Sequence, residues 1–125
     1  MNIKELDKKY LNQLLEIQDE ANPMFFQKDD KKSFLKHLTT DQGFILGYFI
    51  ENELVAYARY WFPGQDSIMG KEAGLNDNQL SKLVYFNGTV VKKEHRGIGI
   101  QYKLHKQVLD ILNYRGISYI MCMTY

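Results

Sequence analysis

The chain has one cysteine, two prolines and no apolar stretch approaching the ~18 residues that a membrane-spanning helix needs. A single cysteine excludes a disulfide framework. Cys122 stands in an apolar run near the C-terminus, where a lone thiol reads as a small buried hydrophobe in a reducing compartment rather than as a nucleophile. The three histidines, His37, His95 and His105, are scattered, and none is spaced with the cysteine as metal ligands are, so no metal is expected. No repeat, low-complexity tract or Pro/Gly/Ser linker divides the sequence. Residues 1–9 are charged throughout and offer neither a hydrophobic signal core nor a small-residue cleavage site, so the expected location is cytoplasmic, with no membrane partner.

What is present is the composition of a soluble globular domain: 125 residues, 45% hydrophobic, 25% charged, formal net charge +1. A chain of this length forms a core without staples, and residues 1–125 are read as one domain. Charge is uneven: residues 1–70 hold 8 Lys/Arg against 11 Asp/Glu, and residues 71–125 hold 8 against 4. That basic surplus suits a small phosphorylated ligand but is too dilute for a nucleic-acid partner, which would need a dense basic stripe.

From Asp7, a helix N-cap, Tyr10, Leu11, Leu14, Leu15 and Ile17 recur at helical spacing until Asn22-Pro23 stops the pattern. A second short helix follows Asp29 and Asp30, with Phe34, Leu35 and Leu38 on one face. Residues 43–62 are β-branched and aromatic, with a polar turn at Glu51-Asn52-Glu53, and predict a hairpin whose aromatic residues serve packing. Pro63-Gly64 ends it, and the polar segment to about Asn78 is expected to be a surface loop. A strand from about Leu80 to Val91 contains Asn87-Gly88. As a turn, that pair would leave Thr89-Val90-Val91 as a stub; as a bulge, it would re-aim the strand near a site, and the bulge is preferred.

A helix with the stripe Ile100, Leu104, Val108, Ile111 and Leu112 follows, with Lys103, Lys106, Asp110 and Asn113 opposite. Arg115-Gly116 closes it. Residues 117–123 then form a continuous apolar run, expected as a strand covered on both faces. Residues 80–124 are thus strand, Gly-rich turn, helix, strand: a βαβ unit with two parallel strands.

The chemistry is concentrated in Arg96-Gly97-Ile98-Gly99-Ile100-Gln101, at the start of that helix. A helix start presents unpaired backbone N–H groups and a partial positive charge, which suit phosphate. Two glycines remove the Cβ atoms that would hold a ligand away, and Arg96 adds a permanent cation. The spacing does not fit G-x-G-x-x-G, because Tyr102 stands where the third glycine belongs, and no G-K-[ST] is present.

Thr89-Val90-Val91, a short charged link, this glycine turn and an amphipathic helix together resemble the acetyl-CoA motif [QR]-x-x-G-x-[GA] of the GNAT superfamily of N-acetyltransferases. More loosely, the resemblance runs over the whole chain. It implies an α+β fold, a GNAT-like twisted mixed sheet with flanking helices. It implies acetyl-CoA as co-substrate, its pyrophosphate held by the amides around Arg96, Gly97, Ile98, Gly99, Ile100 and Gln101. Val90 and Val91 would pair with the pantetheine arm, and a strand amide such as that of Val91 would polarise the thioester carbonyl. The expected activity is N-acetylation of a primary amine on a small molecule or peptide.

Two departures stand against the family pattern. Gln101 occupies the last motif position, where Gly or Ala is expected, and the chain stops at Tyr125, before the further helix and strands of family members. No catalytic base is assigned: Tyr85, Asn87 and Thr89 lie on the right strand but none is a carboxylate, and Glu94 and His95 are read as solvated. The rival expectation is a non-catalytic CoA-binding or interaction module, or a domain completed by a second chain, for instance as a homodimer joined at the strand of residues 117–125.

Overall fold

The computed structural model describes residues 2–21 and 31–122. Five strands form one sheet in the order β1-β2-β3-β4-β5: β1 (Ile3–Glu5), β2 (Gly43–Ile50), β3 (Glu53–Trp61), β4 (Leu83–Val91) and β5 (Tyr119–Cys122). The first four run antiparallel to their neighbours, and β4 and β5 are parallel, from Leu83 opposite Tyr119 to Phe86 opposite Cys122. The helices are α1 (Leu11–Ala21), α2 (Lys31–Thr39), α3 (Ile68–Glu72), α4 (Asp77–Leu80) and α5 (Ile100–Tyr114). This is the mixed α+β sheet with flanking helices that the sequence predicts.

The central hairpin has no polar face, because both of its faces are covered. β2 and β3 are buried over most of their length, and successive side chains enter opposite cores. On one face Phe44, Leu46, Tyr48, Ala56, Ala58, Tyr60 and Val84 pack against Ile100, Leu104, Val108 and Leu112 of α5, the apolar stripe read from the sequence. On the other, Ile45, Leu54 and Tyr57 meet Leu11, Leu14 and Ile17 of α1 and Phe34 of α2. Each fully buried side chain of this size is worth about 1.5–3 kcal/mol over leaving it in water. The hairpin turns at Glu51 and Asn52 with φ of 50° and 68°, both positive as a two-residue turn matched to the strand twist requires; Glu53 already belongs to β3.

Five readings are corrected. The N-terminal segment supplies a short edge strand, β1, before the first helix; Asp7 caps a 3-10 turn, its carboxylate accepting from Lys9 N–H at 3.0 Å, and α1 follows. The segment after Pro63 is built rather than irregular: Ser67 caps α3, and Asn76 with Gln79 forms a capping box on α4. Leu80 therefore ends a helix, and β4 begins at Leu83. At the other end, β5 alternates half-buried Tyr119 and Met121 with exposed Ile120 and Cys122, rather than being covered on both faces. Ile120 is 44% exposed, and Cys122, expected to be buried, is exposed. The stop at Asn22-Pro23 and the acidic pair Asp29-Asp30 lie outside the described residues.

Candidate active site

The bulge falls at Asn87. Arg59 is opposite Gly88 and Tyr60 is opposite Phe86, which leaves Asn87 as the extra residue. Beyond it β4 continues along β3 to Val91. Among the described residues, its pairing with β5 ends at Phe86. From Asn87 onward, the side of β4 away from β3 has no strand partner among the described residues.

The phase of that edge follows from one hydrogen bond. Lys92 N–H donates to Val55 O at 2.8 Å. Antiparallel pairing alternates, so Val90 and Gly88 point their backbone groups at β3, and Val91 and Thr89 point theirs to the open side. Arg96 uses this opening: its Nε donates to the Val91 carbonyl at 3.1 Å, drawing the turn after β4 against the strand. The Val91 N–H faces the same side.

A cleft of about 780 Å³ lies along this edge and the amino end of α5. Of the residues expected to bind cofactor, Val90, Val91, Arg96, Gly97, Gly99, Ile100 and Gln101 all line it. Ile98 does not; its side chain is exposed at the tip of the turn. Gly97 and Gly99 have φ of 84° and 83°, a left-handed backbone that other residues adopt only with strain, and no atom lies within 4 Å of where their Cβ atoms would be. Gly99 is the N-cap of α5 and provides no side-chain acceptor, so the amides of the first turn face the cleft without a cap. A cradle of open amides, two glycines and a cation is what a pyrophosphate requires. Gln101 is exposed and lines the cleft.

Sequence reasoning did not assign several walls of this cleft to cofactor binding. Thr89 lines it, and its hydroxyl is buried without a protein partner. His95, read as solvated, is half-buried in the wall. His105 reaches the cleft from one turn along α5, its ring edge-on to Phe86 at 4.7 Å, and burial lowers its pKa below the ordinary histidine value. The spacing of Gln101 and His105, one helical turn apart, was the available signal. Glu94 is exposed and lies outside the cleft wall.

A second cleft, of about 190 Å³, opens on the other face of β4 and is lined by Ser33, Lys36, His37, Trp61 and Asn87. Here the α2 face carries a polar cluster under the aromatic rim. Arg59, only 4% exposed, donates from Nη2 to Ser33 Oγ and to His37 Nδ1, each at 3.1 Å, and its guanidinium stacks over Phe34. Burial lowers the His37 pKa, opposed by the Ser33 carbonyl, which favours a proton on Nδ1. Trp61, expected to be packing, is half-buried, with its ring 4.8 Å from that of His37. Tyr85 points to Ser67, whose hydroxyl also caps α3, and so serves the fold. No group of three or more His, Cys, Asp or Glu side chains among the described residues could hold a metal ion, and no helix among them is long and apolar enough to cross a membrane.

A bulged strand running into a glycine turn at a helix start frames the first cleft. A profile of the Acetyltransferase (GNAT) family matches residues 11–124, and the chain belongs to that family. No curated protein sequence matches it. Among solved structures it is similar to an aminoglycoside acetyltransferase, meta-AAC0020, from an uncultured soil metagenomic sample, in complex with sisomicin. That pair has 18% identity and a TM-score of 0.69, covering 98% of this chain and 76% of the other. It is similar to AAC(6')-Iy in complex with a bisubstrate analogue, CoA-S-monomethyl-acetylneamine, at 15% identity and a TM-score of 0.73, covering 98% and 78%. It is also similar to the ribosomal-protein-alanine N-acetyltransferase of Brucella melitensis biovar Abortus 2308, at 17% identity and a TM-score of 0.68, covering 98% and 79%. At such identities the likeness is one of fold.

Proposed function

We propose that this chain transfers the acetyl group of acetyl-CoA to a primary amine. The observation that carries this reading is the meeting, in one cleft, of residues 89–91 of β4 with the uncapped, glycine-rich start of α5. Acetyl-CoA supplies the thioester. The amides of residues 97–101 take its pyrophosphate, with Arg96 beside them. The backbone groups of Thr89 and the Val91 N–H face the pantetheine arm and its thioester, as an added strand would.

In the transfer, the amine nitrogen bonds to the thioester carbon, the carbon–sulfur bond breaks, and the sulfur leaves as the CoA thiolate. Negative charge develops on the carbonyl oxygen, and the Val91 N–H, fixed by the sheet before the reaction begins, is placed to donate to it. The nitrogen must be neutral to attack and must lose a proton afterwards. The known complexes of the structural relatives, one with CoA and one with a bisubstrate analogue, support the cofactor but belong to those proteins.

The test is product formation: the purified chain is incubated with acetyl-CoA and panels of small primary amines and peptides, and acceptors are followed by mass spectrometry. The expected result is an acceptor that gains one acetyl group with matching release of CoA. Binding of acetyl-CoA without acetylation of any amine would contradict turnover and favour a binding module.

A further inference from the structure

The first cleft has two walls. Thr89, Val90 and Val91 form the strand wall, and Gln101, Tyr102 and His105 form the helix wall, with the glycine turn joining the two at one end. α5 runs back alongside β4, as the link between two parallel strands must, so His105 lies about 7.5 Å beyond Ile100 along the helix axis, away from the turn. Its ring meets that of Phe86, the residue before the bulge, edge-on at 4.7 Å. An arm that leaves the pyrophosphate cradle and runs back along residues 89–91 therefore has His105 across from it, on the helix side.

The His105 ring is open to a ligand. Neither of its nitrogens has a hydrogen-bond partner among the described residues, and neither is shut off from solvent, the side chain being half-buried. Burial lowers its pKa, and no Asp or Glu lines the cleft to hold a second proton on it. At neutral pH the ring thus carries one N–H and one lone pair, and with neither nitrogen fixed by the protein the N–H is borne by whichever faces an acceptor.

The two open N–H groups of the strand wall, those of Thr89 and Val91, are directed to the arm and to the thioester carbonyl oxygen. The sulfur, which takes the electron pair of the breaking bond, is left to the helix wall. Of the side-chain donors there, Tyr102 is 69% exposed and Gln101 is exposed in the first turn, within the cradle; His105 is the half-buried one beyond it, where water competes less for a hydrogen bond.

We infer that His105 is a catalytic residue of the transfer, its ring N–H hydrogen-bonding the CoA sulfur as that sulfur departs. This rests on the acetyl-CoA reading of the cleft. The amine nitrogen bonds to the thioester carbon, the carbon–sulfur bond breaks with its electron pair passing to sulfur, and the surplus proton of the amine goes to water. His105 keeps its own proton throughout. The sulfur is uncharged in the thioester and anionic in the product, so the contact strengthens along the reaction, which is how it lowers the barrier.

The test reads the sulfur directly, with CoA as the probe and no acceptor present. In a Cys122→Ser background CoA carries the only thiol, and its ionisation is followed against pH by ultraviolet thiolate absorbance after subtraction of the protein alone. His105→Phe, which keeps a ring against Phe86, should raise the pKa of the bound thiol by about one unit, the size of one hydrogen bond to a charged group. His105→Gln retains an N–H and should keep part of the lower value, and Tyr102→Phe should keep all of it. Each variant should retain the rise in melting temperature with CoA. With an amine identified by the panel above, His105→Phe should lower kcat about tenfold and leave KM for acetyl-CoA unchanged. The same bound-thiol pKa in wild type and His105→Phe would overturn the assignment. So would a change that appears in Tyr102→Phe instead, or a raised pKa with kcat unaltered. A wild type whose melt does not respond to CoA would instead refute the cofactor reading beneath it.

Discussion

Arg96 Nε donates to the backbone carbonyl of Val91 at 3.1 Å, so the cation of the glycine turn is tied to the last residue of the strand it follows. One contact thus sets the distance between the group expected to meet phosphate and the amide expected to meet the thioester. Arg96→Ala should lower acetyl-CoA affinity by roughly tenfold, the value of one charge-assisted contact. Arg96→Lys keeps the charge but loses the Nε–H that bonds the Val91 carbonyl and should recover only part. Calorimetric titration of the three proteins checks this; equal affinities would remove Arg96 from the site.

Glycine at 99 serves both conformation and access. Gly99→Trp should abolish the response to acetyl-CoA by filling the cradle, and Gly99→Ala should weaken it. Gly74 offers the control, since it has φ of 85°, similarly open space around it and a place outside the cleft wall. Gly74→Ala should cost a comparable 1–3 kcal/mol or so of stability from backbone strain and leave acetyl-CoA binding untouched. Loss of binding in both variants would mean that instability, not the site, was being measured.

His37 and His105 are both held below the ordinary histidine pKa by burial. A group whose folded pKa is depressed binds fewer protons in the native state than in the unfolded state, so stability rises with pH across the interval between the two values. Their contribution is complete above the unfolded value near 6.5 and is lost as pH falls below it toward the lowered native values. Denaturant unfolding from pH 8 to pH 5 should show stability falling with acidification. The slope should be shallower in the His37→Gln, His105→Gln double variant; an unchanged slope would show that neither ring is buried neutral.

Cys122 lies exposed on β5 rather than in a core. It should react with a thiol reagent in the native protein within minutes and to one equivalent, whereas a buried thiol would wait for unfolding. Cys122→Ser should leave the melting temperature within about 0.5 kcal/mol-equivalent of wild type, as exposed substitutions do.

Much of this architecture was legible in the sequence because its signals are local. The α5 stripe, the Asn87-Gly88 bulge and the glycine turn each occupy a few adjacent residues whose spacing has one physical meaning. β1 was not legible, since three residues at a charged terminus show no period, and only pairing with residues 46–48 makes them a strand. α3 and α4 are too short for periodicity and depend on their caps, although Asn76 and Gln79 at capping-box spacing were a signal in plain view. The second cleft was the least legible. It is assembled from α2, β3 and β4; Ser33 and His37 stand one turn apart on α2, but no spacing relates them to Trp61 and Asn87. Its one sequence clue was Arg59, a lone charge inside an apolar strand, which the fold buries against His37.

The measurement that bears most directly on the account is a thermal melt of the wild-type chain with and without acetyl-CoA. At a ligand concentration ~100 times the dissociation constant, binding adds about 2.7 kcal/mol, which in a domain of this size raises the midpoint by on the order of 10 °C. The account predicts that rise, and its absence in Gly99→Trp. An unmoved midpoint for the wild type at millimolar acetyl-CoA would contradict it.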